Sequence, residues 1–402
     1  MEAIRMKDQR STTRTALSCA ALLVLALASA IAAAQEFRDL KPSPPLVLRG
    51  EGSFFIDGYT QAIAPKYISP SAFASDAGNS MVNQMYVQYQ RPQERRHGAY
   101  PLLIVHGCCL SSKSWQTTPD GRMGWDEYFV RRGFDTYLAE QVSRGRSGFN
   151  ALQYQMVLVG DAPATSNPPI LIATDAFAWN VFRWGNFSTL TPFADEQFPM
   201  NTVGVGPGST LTFYNQVIPD LNSTLPNVPA GCADGTCTPR DPNAVYSTPA
   251  AMAQLANDLN GAILMGHSQS SGYPTMAALQ PGSSGVRGIV QLETGCFGNL
   301  TAADIDILKN IPILILVADH FSTPQPSATC VAQMQQINSA GGDMTFISLP
   351  AIGIHGNSHM MMLDHNNLQV ADVIINWIDQ HVKSNDDSGS DDSEVRSDTN
   401  RR

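Results

Sequence analysis

Charge is scarce in this chain, and positive charge most of all. Only 15% of its 402 residues are Asp, Glu, Lys or Arg, and 25 basic against 35 acidic side chains leave a formal net charge of -10. That balance opposes nucleic acid or anionic lipid as a partner. Metal-binding spacing is missing as well: there is no H-E-x-x-H and no paired C-x-x-C set, so no metal is expected. No G-x-G-x-x-G follows the first strand-like segment, and no cofactor is expected. Long apolar runs are absent beyond residue 34, which argues against stable membrane insertion of the mature chain.

What is present begins with the run "ALSCAALLVLALASAIAAA", preceded by Arg5, Lys7, Arg10 and Arg14 and ending in small residues before Gln35. A basic start, an apolar middle and an A-x-A end describe a cleaved secretory leader over residues 1–34. The leader holds four basic and two acidic residues, so the mature chain is near -12. A secreted or periplasmic setting makes disulfides durable. Of seven cysteines, removal of Cys19 leaves six candidates: Cys108, Cys109, Cys232, Cys237, Cys296 and Cys330. Connectivity is not fixed by sequence. The short loop "GCADGTC" makes Cys232 with Cys237 the easiest pair, Cys296 with Cys330 the next, and Cys108 and Cys109 remain for each other.

From "GSFFIDG" onward the chain alternates strand and helix patterns. "MYVQYQRP" alternates apolar and polar residues, and "YPLLIVHG" is a continuous apolar run of the kind buried on both faces. "GWDEYFVRRG", "PAAMAQLANDLNG", "GYPTMAALQ", "SATCVAQMQQINSAGG" and "NLQVADVIINWIDQHV" read as helices; "FDTYLAEQV", "AILMGHS", "VRGIVQLET", "IPILILVAD" and "MTFISLP" read as strands. The expected fold is α/β, a mostly parallel central sheet flanked by helices. Residues 151–247 break the rhythm with "NPP", "GVGPGST" and "NSTLPNVPAG", and are read as a cap between a first core part, 35–150, and a second, 248–383. Within the cap, Phe177, Val181 and Trp184 fall at helical spacing and suit a small amphipathic helix packed on the body. Residues 384–402 are an acidic tail too poor in apolar residues to fold.

Chemistry concentrates near "AILMGHSQSSGYP". Ser268 sits in G-x-S-x-S between a strand and a helix, where a sharp turn lifts a hydroxyl clear of the sheet and small neighbours let backbones pass. Ser270 replaces the usual second glycine. A serine needs an imidazole to take its proton and a carboxylate to orient that imidazole. "GIHGNSHMMM" offers His355 and His359; Glu293 and Asp319 each end a strand and could supply the acid. Spacing does not choose between them. The loop of "LLIVHGCCLSSKSW" would lie beside the serine, giving one backbone N-H to a developing oxyanion while Gln269 gives the other. A Cys108–Cys109 bridge would stiffen that loop at the cost of strain, since adjacent Cα atoms are about 3.8 Å apart and disulfides usually span about 4.4–6.8 Å. His106 and His267 are read as structural.

Together "VHGCCLSSKSW", "GHSQSSGYP", "QLETGCF" and "GNSHMMM...NNLQVADVIINWI" make residues 51–383 resemble a family of bacterial α/β-hydrolase carboxylesterases with adjacent cysteines at the oxyanion hole. The resemblance implies the α/β-hydrolase fold and hydrolysis of small-molecule esters. It also implies Ser268 as nucleophile, Glu293 as acid, His359 as base, and Cys108 and Gln269 as oxyanion donors. Asp319 and His355 remain the alternatives. Lactones or amides are possible substrates of the same machinery, and a non-catalytic binding protein on this fold is the competing expectation.

Overall fold

The computed structural model describes residues 44–68, 77–167, 170–200, 213–220, 247–293, 296, 299–323 and 325–384. The expected leader, Cys232, Cys237 and the tail beyond Ser384 lie outside the described residues.

Apolar runs become strands because both faces of the sheet are covered. In chain order the first half holds β1 (Leu48–Ile56), β2 (Tyr59–Ile63), β3 (Gly78–Val82), β4 (Met85–Pro92), β5 (Leu102–Val105), α1 (Trp125–Arg131) and β6 (Thr136–Ala139). The insertion adds α2 (Leu152–Leu158), α3 (Asp175–Val181), β7 (Gly185–Asn186) and β8 (Thr191–Pro192). The second half runs α4 (Thr248–Asp258), β9 (Ala262–His267), α5 (Tyr273–Ala278), β10 (Val286–Leu292), α6 (Ala302–Leu308), β11 (Ile313–Val317), α7 (Ala328–Ser339), β12 (Met344–Ser348) and α8 (Asn367–His381). The main sheet has eight strands in the order β1-β4-β6-β5-β9-β10-β11-β12. β1 and β4 are antiparallel, and β4 is antiparallel to β6. From β6 to β12 every pairing is parallel.

Alternate residues of each strand feed opposite cores. Leu102 and Ile104 of β5 join Ile263, Met265, Val290 and Leu314 on one face, under α1 and α8. Leu103 and Val105 join Leu264, Ile289, Ile313 and Ile315 on the other, under α4 and α7. Helix α8 presents Val370, Ala371, Ile374, Ile375 and Ile378, a stripe of three- and four-residue steps that fits one buried face. No helix among the described residues is long and apolar enough to cross a membrane.

The insertion packs differently from the sequence expectation. Helix α3 stops at Val181, which is 39% exposed, and its buried residues are Ala178 and Trp179; Phe182 and Trp184 are buried beyond its end. The expected stripe of Phe177, Val181 and Trp184 is therefore not the packed face. Aromatic stacking decides the orientation: the Trp184 ring lies 4.4 Å from that of Phe198 and 5.3 Å from that of Phe213. These rings share a continuous core with Leu292, Leu316 and Met360 to Leu363 of the main body.

Candidate active site

Strand β9 delivers Ser268 into a tight turn. Ser268 has φ 56, a left-handed conformation that non-glycine residues avoid and that such turns require. A Cβ on Gly266 would lie 2.0 Å from the carbonyl oxygen of Ser270, so only glycine allows this crossing. The serine at position 270 is accommodated because its hydroxyl is used: it donates to the Val105 carbonyl at 3.1 Å and accepts from the His267 N-H at 3.1 Å. Gly107 brings the cysteine loop against the turn, for a Cβ there would lie 3.0 Å from the Ser268 Cβ.

Glu293 leaves the end of β10 with φ 77 and is buried. One carboxylate oxygen accepts from the Ala318 N-H at 2.8 Å and the other lies 2.8 Å from His359 Nδ1. With the proton on Nδ1, His359 donates to Glu293 and leaves Nε2 as an acceptor. Nε2 is buried and has no hydrogen-bond partner among the described residues. The His359 loop is pinned by buried Asp364, which accepts from the Ser358 N-H at 2.8 Å, the Ser358 hydroxyl at 2.7 Å and Asn357 Nδ2 at 2.9 Å. His267, next to the serine, lies with Nε2 2.8 Å from the His359 carbonyl and its ring 4.7 Å from the His359 ring. His359 and Ser268 are thus held by adjoining segments.

The alternatives fall together and elsewhere. His355 is largely exposed and its Nδ1 is 3.7 Å from Asp319, whose carboxylate also accepts from the His320 and Gly356 N-H groups. His106 is fully buried below the cysteine loop, its Nε2 accepting from the Gln141 N-H at 3.1 Å and lying 3.4 Å from Glu140.

Around the cysteines the structure adds residues that no motif pointed to. Arg144 and Asp220 form a fully buried ion pair. Asp220 also accepts from Gln269 Nε2 at 2.7 Å, and Arg144 donates to the Gly107 carbonyl at 3.2 Å. Ile218 donates its N-H to the Cys109 carbonyl at 2.9 Å. Glu140 accepts from the hydroxyl of Ser112 at 2.7 Å and from Arg146 at 3.0 Å. Cys108 and Cys109 are free thiols with sulfurs 2.7 Å apart, so the expected bridge between them is not formed; neighbouring Cα atoms lie closer than an unstrained disulfide spans. A disulfide does join Cys296 to Cys330, with Cα atoms 5.1 Å apart.

Among the described residues, two clusters carry metal-ligating atom types: Cys108 with Cys109 and Asp220, and Asp195 with Asp319 and His320. In each, carboxylate oxygens are already engaged by protein donors, Asp220 by Arg144 and Gln269 and Asp319 by backbone N-H groups.

Electrostatics single out one further side chain. Burial works to raise the Glu293 carboxyl, yet the charge of Arg183 and the hydrogen bond of His359 outweigh it and hold it at about 2. Burial lowers His359, Glu293 acts to raise it, and Arg183 lowers it again. Burial and the neighbouring His359 keep His267 neutral, at about 3. Arg183 lies in the insertion, and its only sequence context is the aromatic cluster around it.

The chain is similar to a bacterial esterase whose structure is known at atomic resolution, at 38% identity over 85% of this chain and 99% of that one, with a TM-score of 0.72. It is also 26% identical over 347 residues, 73% of this chain and 85% of the relative, to a protein named "Probable secreted lipase phiG" from a fungal species. No family model matches it. With that likeness and an eight-stranded, mostly parallel sheet, the chain belongs to the α/β-hydrolase esterases and is a carboxylic-ester hydrolase.

Proposed function

We propose that the protein cleaves small-molecule carboxylic esters through an acyl-enzyme, with Ser268 as nucleophile, His359 as base and Glu293 as the acid that orients it. The observation that carries this reading is the buried 2.8 Å contact between Glu293 and His359 Nδ1, which leaves Nε2 free to take the serine proton. No Ser268–His359 hydrogen bond is present, and such contacts commonly tighten only when substrate binds. His359 then returns the proton to the departing alcohol, and water releases the acid by the same route.

The N-H groups of Cys108 and Gln269 are the proposed oxyanion donors. The close approach of Gly107 to Ser268 supports the first, and the position of Gln269 directly after the serine supports the second. Residues 1–34 are proposed to export the chain, in keeping with the word "secreted" in the fungal relative's name. Residues 151–247 are proposed to frame the pocket between core parts 35–150 and 248–383.

A fluorophosphonate probe on the full chain should label Ser268, and Ser268→Ala should lose both the label and hydrolysis of short-chain nitrophenyl esters, by roughly 10⁵-fold or more. Labelling of another residue, or hydrolysis that survives the substitution, would overturn the assignment.

A further inference from the structure

Arg183 touches both members of the proposed relay without belonging to it. Its Nη2 lies 2.6 Å from Glu293 Oε2 and its Nη1 3.1 Å from His359 Nδ1. Nε donates to the Asp319 carbonyl at 2.7 Å, and the guanidinium sits 4.0 Å above the Phe321 ring. The Glu293, Asp319 and Phe321 contacts fix the side chain in one pose, while at His359 Nδ1, which gives its proton to Glu293, two donors face each other.

The backbone gives a second, independent sign. Helix α3 ends with Trp184 N-H donating to the Trp179 carbonyl and Arg183 N-H to that of Asn180, the paired bonds of a Schellman stop. The residue at the bend is Arg183, with φ 58, where glycine is usual. A side chain in the left-handed region crowds its own backbone. An arginine at that position, its head directed at Glu293, indicates that the side chain is needed there.

We propose that Arg183 is a positioning residue for ester hydrolysis: its fixed charge offsets Glu293 beside His359, keeping the imidazole unprotonated and available as a base in mildly acidic surroundings. The inference rests on His359 being the base. Other charged groups near the ring are arranged not to mask the effect. His267 is buried and neutral, and Asp364 is pushed up to about 7 by burial against its hydrogen bonds from Ser358 and Asn357. Glu196, which feels the charges of Asp364, Asp195 and Arg183, is pushed up to about 9, chiefly by burial, and is uncharged at neutral pH. Asp319 engages its carboxylate with the His320 and Gly356 N-H groups and with His355. A like charge at this range disfavours a second one, so removing Arg183 lets Glu293 stabilise the imidazolium and raises the pH at which the base is lost.

The test is the pH profile of kcat/KM for a nitrophenyl ester in the wild type, Arg183→Gly and Arg183→Lys. Glycine suits the left-handed backbone, so folding is spared. The acid limb of Arg183→Gly should move up by about 1 pH unit or more, a roughly tenfold loss of kcat/KM against wild type at a pH below both limbs, while Arg183→Lys stays near wild type. Glycine and lysine variants with equal losses and unshifted limbs would overturn the proposal and leave Arg183 a packing residue. Failure of the proposed relay itself is distinguishable, because the wild type would then neither label at Ser268 nor hydrolyse the ester.

Discussion

The sheet and the insertion contribute to the site in opposite ways. Strand ends supply the groups proposed to react: Ser268 after β9, Glu293 after β10 and His359 after β12. The insertion supplies what surrounds them: Phe182, whose carbonyl accepts the His359 N-H at 3.0 Å, Arg183 beside Glu293, and Asp220 beneath Gln269. The Phe182 ring also stacks on that of His359 at 5.6 Å. The groups proposed to react are thus fixed by a repeating framework, and their charges and orientations by single residues from an irregular segment. A segment that only packed on the sheet would be separable from these groups; this one is joined to them.

The sharpest way to break that union is at Asp220. Asp220→Ala leaves Arg144 charged, buried and unpaired, so it should cost about 3–5 kcal/mol of stability, read as a lower midpoint in urea. Loss of the tie to Gln269 should also lower kcat more than it raises KM. Replacing both ion-pair members with apolar residues should recover most of the stability and none of the kcat, separating the two roles.

Trp184→Ala asks whether the insertion shares the main core. Continuity of the Trp184, Phe198 and Phe213 cluster with the body implies a single cooperative unfolding transition, displaced by about 3–5 kcal/mol. A biphasic melt with the major transition unmoved would show an independent unit instead.

The most pH-selective effect is expected at Glu196. Its carboxyl is raised to about 9, by burial first and then by Asp364 and Asp195 against a hydrogen bond from the Phe198 N-H. The folded value lies above the unfolded one of about 4.3, so the folded state resists ionisation: stability is full below about pH 4 and is lost as pH rises toward 9. Glu196→Gln should therefore raise the thermal midpoint at pH 8 by a few degrees and leave it unchanged at pH 4, as scanning calorimetry would read.

The same contrast explains what sequence could and could not reveal. Buried parallel strands announce themselves as unbroken apolar runs such as "LLIV" and "ILILV", and the strand-Ser-helix turn follows from residue size at Gly266 and Ser270. The resemblance favoured Glu293 over Asp319 and His359 over His355, which spacing alone left open; the structure brings Glu293 and His359 into contact and pairs Asp319 with His355. Arg183, Asp220 and Arg144 carry no periodic signal, because each acts alone across a gap of many residues. The buried face of α3 has the same origin. Helical spacing carried through Trp184 picks out another face, because the chain leaves the helix at Val181 and ring stacking rather than periodicity selects what is buried.

Ser270 has one consequence for motion. Its hydroxyl stitches the turn beneath the attacking oxygen to Val105, the last residue of the neighbouring strand, from which the cysteine loop departs two residues later. The gap between the proposed nucleophile and the proposed Cys108 amide donor is therefore inherited from the lateral spacing of two paired strands, about 4.8 Å. Loops elsewhere can breathe while that ruler stays constant.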